Sequence, residues 1–146
     1  MEKKKQLVIK ILFTVVALIV VSGCNANRID LVRKGTVSVE TVSSEKVKLL
    51  WASAYQQDKT LLVCGRVGRF GLSNYPLRTH VDISIISPSG EVLYESQTED
   101  IFVPRHTPGK GPNSRHFRLR FPTIPQQGSL VQVVCHSGLH PNATLP

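Results

Sequence analysis

The chain has 146 residues, with 18 Lys and Arg against 10 Asp and Glu and a formal net charge of +8 at neutral pH. That length accommodates an export signal plus one domain and excludes a second core of ordinary size. The basic balance does not point to nucleic acid, because the chain has no aromatic-rich basic motif of the kind an RNA-binding sheet presents.

Lys3, Lys4 and Lys5 give the chain a positive start, and Leu7 to Val21 is apolar apart from Lys10 and Thr14. This is the layout of a secretory signal. Its charge-free part, Ile11 to Val21, has 11 residues, whereas an α-helix needs roughly 20 to cross a bilayer, so a permanent span is the weaker reading. Val21-Ser22-Gly23-Cys24 follows: a branched apolar residue, two small ones and a cysteine. These four residues resemble the lipobox of bacterial lipoproteins. The resemblance implies that residues 1–23 are removed, that the Cys24 thiol carries a diacylglycerol, and that the new amino terminus takes a further acyl chain such as palmitate. Two or more chains hold a protein on a membrane where one binds only marginally. In the same family an Asp after the cysteine marks retention at the inner membrane in enteric bacteria. Asn25 stands there instead, which implies an outer-membrane anchor facing the periplasm.

Loss of residues 1–23 removes four lysines and one glutamate and lowers the formal charge from +8 to +5. A basic domain held in the envelope meets anionic headgroups, cell-wall polymers or an acidic protein partner, and charge alone does not choose among them. Residues 24–35 read as a lipidated tether, polar and bearing Arg28, Arg33 and Lys34, and residues 36–146 as one domain.

From Thr36 onward the apolar period is two, as half-buried strands require. Val37 and Val39 share a face. Val47, Leu49 and Trp51 share another, and Leu61 to Val67 is an apolar run containing Cys64. In Thr79 to Ser87, Val81, Ile83 and Ile85 alternate with His80, Asp82 and Ser84. Pro88-Ser89-Gly90 then suits a tight turn into Glu91 to Ser96, which makes a hairpin. Phe117, Leu119 and Phe121 alternate with His116, Arg118 and Arg120, and Leu130 to His136 places Val131, Val133 and Cys135 on one face. With no capped helical stripe after residue 24, the expected fold is all-β: a single antiparallel β-sandwich of about seven short strands. In strand number and length it looks like an immunoglobulin-like or transthyretin-like sandwich. Trp51 precedes Cys64, however, where antibody-type domains place their core Trp after the first cysteine.

With Cys24 committed to lipid, Cys64 and Cys135 remain, and two cysteines in an oxidising compartment read as one disulfide. Closing a loop of about 70 residues would stabilise the fold by roughly 4 kcal/mol in the chain-entropy model. Both sulfurs, together with Leu62, Val131 and Val133, would then line the interior. The rival is a thiolate metal site with His136, which lacks any paired zinc spacing.

Ile101 to Arg115 holds Pro104, Pro108, Pro112, Gly109 and Gly111 and reads as a long exposed loop. Arg105, His106, Lys110, Arg115 and His116 make it the candidate partner-binding surface. His106, His116, His136 and His140 fall in the C-terminal third, and neutral imidazoles there would suit copper or zinc, yet none pairs at a diagnostic spacing. No metal-ligand set is therefore assigned, and no cofactor. His80 and Asp82 share one strand face at i and i+2, which invites a catalytic pair, but no G-x-S-x-G, HExxH or P-loop completes one. No catalytic residue is assigned. The expectation is a non-enzymatic, lipid-anchored envelope module that binds or scaffolds another envelope protein or cell-wall component. The alternatives are a copper- or zinc-binding lipoprotein using the C-terminal histidines, and a pilotin-like assembly helper.

Overall fold

A computed structural model describes residues 28–71, 75–105 and 113–137. These form nine strands and no helix: β1 (Arg28–Asp30), β2 (Val37–Val42), β3 (Val47–Gln57), β4 (Thr60–Arg69), β5 (Leu77–Ile86), β6 (Val92–Gln97), β7 (Ile101–Val103), β8 (Ser114–Phe121) and β9 (Ser129–Ser137). Two sheets pack face to face. The first has the order β1-β3-β4-β8; the second has β2-β9-β5-β6, with β7 also pairing with β5. The all-β sandwich expected from the alternation is therefore present.

Three details differ from that expectation. The sandwich is not purely antiparallel, since β2 runs parallel to β9 from Val37↔Ser129 to Val42↔Val134. The tether is shorter than residues 24–35, because Arg28–Asp30 pairs with Tyr55 to Gln57 of β3 and Leu31 is buried in the core. The long loop is shorter too. Ile101–Val103 is β7, with Val103 wholly buried, and Ser114 and Arg115 already belong to β8. The expected signal, the lipobox-like Val21-Ser22-Gly23-Cys24, His106, Lys110 and His140 lie outside the described residues.

The interior follows from strand alternation. Val81, Ile83 and Ile85 of β5 and Val131, Val133 and Cys135 of β9 face Leu61, Val63 and Val67 of β4 and Phe117 and Phe121 of β8, all at most 5 % exposed. Among the described residues, both sheets share one contiguous buried cluster. The turn from β1 into β2 is closed by the Asp30 carboxylate, which accepts from the Val32 and Arg33 amides. Gly35 closes its far end at φ +69°, a conformation that strains any residue with a Cβ. The hairpin at Pro88-Ser89-Gly90 forms as expected, with the Ser87 amide donating to the Glu91 carbonyl at 2.8 Å.

Two face assignments change. A bulge between Leu49 and Trp51 shifts the register of β3 on β4, so Val47 stays in the core while Trp51 turns outward and is 42 % exposed. On β4 the inward set is Leu61, Val63 and Val67, which puts Leu62 and Cys64 on the outer face, although Leu62 is still fully covered there. The expected disulfide is consequently absent: Cys64 and Cys135 are both free thiols. Cys135 points into the core from the second sheet, while Cys64 points away from it on the first. Stacked sheets lie roughly 10 Å apart, so a sulfur on the far side of one cannot reach the inner face of the other.

Candidate metal centre

The outer face of the second sheet brings together residues that are far apart in sequence. On β5, the core positions Thr79, Val81 and Ile83 are odd-numbered, so His80 and Asp82 point outward on the same face, as the sequence pattern implied. The antiparallel register of β5 on β9 sets His80 directly opposite His136. Directly opposed residues have close Cβ atoms, and here the two imidazoles stack with ring centroids 5.2 Å apart and planes at 16°.

Asp82, one pleat along, completes the group. Its Oδ2 lies 3.1 Å from His136 Nε2 and its Oδ1 lies 3.7 Å from His80 Nε2. One ligand atom from each of the three residues falls within 4.8 Å of the others. Zinc or copper bound at about 2.0–2.2 Å with tetrahedral angles needs donor atoms roughly 3.3 Å apart. The Asp82–His136 pair, at 3.1 Å, is close to that spacing, and the His80–Asp82 pair, through the other carboxylate oxygen, is wider at 3.7 Å. Two neutral imidazoles and one carboxylate are a donor set that both metals accept, and three protein ligands leave a coordination position open.

The surroundings grade access across the site. The His80 side chain is only 8 % exposed, Asp82 22 % and His136 37 %, so an ion would enter past His136 and settle against His80. Thr79, on the inner face beside this group, fixes the strand that carries His136: its hydroxyl donates to the His136 carbonyl and contacts Cys135 Sγ at 3.3 Å. Burial pushes the Cys135 thiol up from its ordinary value of 9.0; the Thr79 hydroxyl opposes that shift and the Asp82 carboxylate adds to it.

Of the histidines weighed from sequence, His136 belongs to this centre. His116 does not, because it lies on the outer face of the first sheet with its ring edge-on to Trp51, centroids 6.1 Å apart. The candidate loop is not one basic rim in its described parts. Arg115 and His116 are consecutive on β8 and therefore point to opposite faces, while the Arg105 carbonyl accepts a bond of 2.7 Å from Asn113 Nδ2. Sequence reasoning found His80 and Asp82 as a pair but assigned them no metal. The missing piece was the β5–β9 pairing that supplies His136. Comparison of the chain with protein-family models, with curated proteins and with solved structures gives no significant match.

Proposed function

We propose that the chain is a non-catalytic, lipid-anchored envelope domain that binds a divalent transition metal, zinc or copper(II), through His80, Asp82 and His136. The observation that carries this reading is the convergence of two imidazoles and a carboxylate within 4.8 Å on one sheet face. The signal layout and the likeness of Val21-Ser22-Gly23-Cys24 to a lipobox support the anchor and compartment in this reading. Such a domain holds or passes on metal at the membrane. The absence from the sequence of a nucleophile elbow or of HExxH favours holding the ion over using it for hydrolysis.

Thermal unfolding of the chain from residue 24 onward, with Cys24 replaced by Ser so that no lipid is attached, tests the metal reading. An ion that binds only the folded state at about 100 times its dissociation constant stabilises by about 2.7 kcal/mol. For a domain of this size that raises the melting temperature by about 10 °C. Asp82→Asn and His136→Ala, both changes on the outer face, should retain the fold and lose the rise. A rise of equal size in both variants would place the metal elsewhere.

A further inference from the structure

The outer face of the first sheet carries a second cluster, which the metal centre does not use. Cys64, Arg66, His116, Arg118 and Arg120 of β4 and β8 alternate with core residues and so stand outside, beside Trp51 and Tyr55 of β3. Arg28, Trp51, Tyr55, Cys64, His116 and Arg118, over the buried Phe117, line an open groove of about 430 Å³. The Arg28 guanidinium lies over the Tyr55 ring, 5.1 Å from its centroid. Burial pushes the Cys64 thiol up while the Arg28 and Arg118 charges act against that shift, so both guanidinium groups act on one sulfur in the groove.

The strands of this face carry four outward arginines against one carboxylate, Asp30; Arg118 also borders a second recess with Glu99 and Asp100, of which Asp100 pairs with Arg78. Among the described residues none of Arg28, Arg66, Arg118 and Arg120 forms a salt bridge. Arg66 donates to Ser114 Oγ and Arg120 to Gln57 Oε1. Asp30, the carboxylate on the strands of this face, accepts through Oδ1 from the amides of Val32 and Arg33 and forms no salt bridge among the described residues. Trp51 is nonetheless 42 % exposed amid these cations.

We propose that this groove seats the phosphate of an anionic lipid headgroup, so that the outer face of the first sheet lies on the membrane surface. Charge complementarity is the first argument: guanidinium groups pair bidentately with phosphate oxygens, and Trp and Tyr rings favour the headgroup level, where one edge is wet and the other apolar. Reach is the second, and it rests on the lipid-anchor reading above. Arg28 is four residues beyond Cys24, and four extended residues span at most about 14 Å. An anchor at Cys24 therefore keeps Arg28, which lines this groove, within that distance of the lipidated residue.

The test is co-sedimentation of the unacylated chain from residue 24 (Cys24→Ser) with vesicles, in the presence of a metal chelator. Neither the lipid anchor nor the metal centre then contributes, and failure of either reading leaves this result unaffected. Vesicles of phosphatidylcholine alone should leave the protein in the supernatant, and vesicles with about a third phosphatidylglycerol should carry it down. At about one surface cation's worth of attraction per arginine, Arg28→Gln with Arg118→Gln should weaken partitioning roughly 30-fold. Arg105→Gln with Arg115→Gln, the same loss of charge elsewhere, should change it only a few-fold. Three outcomes would overturn the proposal: equal uptake by the two vesicle types, equal losses from the two double variants, or saturable binding of inorganic phosphate with no uptake by vesicles.

Discussion

Gly65→Ala is the sharpest test of how the two sheets are assembled. Gly65 sits on β4 beside the bulge of β3, and a Cβ added there would lie 2.5 Å from the Trp51 carbonyl oxygen and 2.5 Å from the Phe117 ring. The ring can move at the cost of core packing; the carbonyl belongs to the paired strand and cannot. An extra methylene forced into a packed core costs about 1–3 kcal/mol, and here the collision with backbone puts the cost at the upper end, about 3 kcal/mol. For the 110 residues from Arg28 to Ser137 that lowers the melting temperature by at least about 10 °C. Gly68→Ala is the matched control. The three atoms nearest its Cβ all belong to the Leu50 side chain, at 3.1–3.5 Å, and Leu50 is 40 % exposed, so the cost should stay below about 1 kcal/mol. Phe117→Leu should not rescue Gly65→Ala, because the Trp51 carbonyl remains. Urea and thermal unfolding of the three variants decide the matter. A Gly65→Ala protein as stable as Gly68→Ala would refute the placement of the bulge.

Other consequences are as direct. Both cysteine thiols are held above their ordinary value by burial, so the stability they contribute is fully present below about pH 9 and is lost as the pH rises through the raised folded values. Urea midpoints at about pH 7 and about pH 10 should differ less in Cys135→Ala than in the unaltered protein; an unchanged difference would count against a buried Cys135 thiol. Thiol titration of the unfolded chain without reductant should find Cys64 and Cys135 both reactive, and a need for reductant would restore the disulfide. Thr79→Val removes the bond that pins the His136 carbonyl and should cost about 1–2 kcal/mol in urea unfolding; no loss would mean that the strand pairing alone holds His136. Cys24→Ala should abolish labelling by radioactive palmitate and leave the precursor uncut, and persistent labelling would remove the anchor.

Much of the fold was legible wherever one face of a strand is polar. His80, Asp82 and Ser84 leave no doubt which side of β5 is buried, and Arg118 and Arg120 do the same for β8. The face of Cys64 was not legible, because Leu61, Leu62 and Val63 are consecutive apolar residues and a run without alternation does not declare its parity. The expected disulfide failed on that ambiguity alone. Trp51 was misplaced for a different reason: a bulge adds one residue to a strand and reverses every assignment beyond it, with no sign in hydropathy. The three-residue strands β1 and β7 are too short to show a period at all. At the candidate metal centre, half of the geometry was in the i, i+2 spacing of His80 and Asp82. The other half came from a pairing between β5 and β9, which local pattern does not encode.

Calorimetric titration of zinc and of copper(II) into the chelator-stripped chain from residue 24, free of any purification tag, tests the central claim most directly. One ion per chain should bind, with heat that disappears in Asp82→Asn and in a His80→Ala, His136→Ala variant and persists in His116→Ala. Absence of heat in the unaltered protein, or an isotherm unchanged by the loss of His80 and His136, would contradict it.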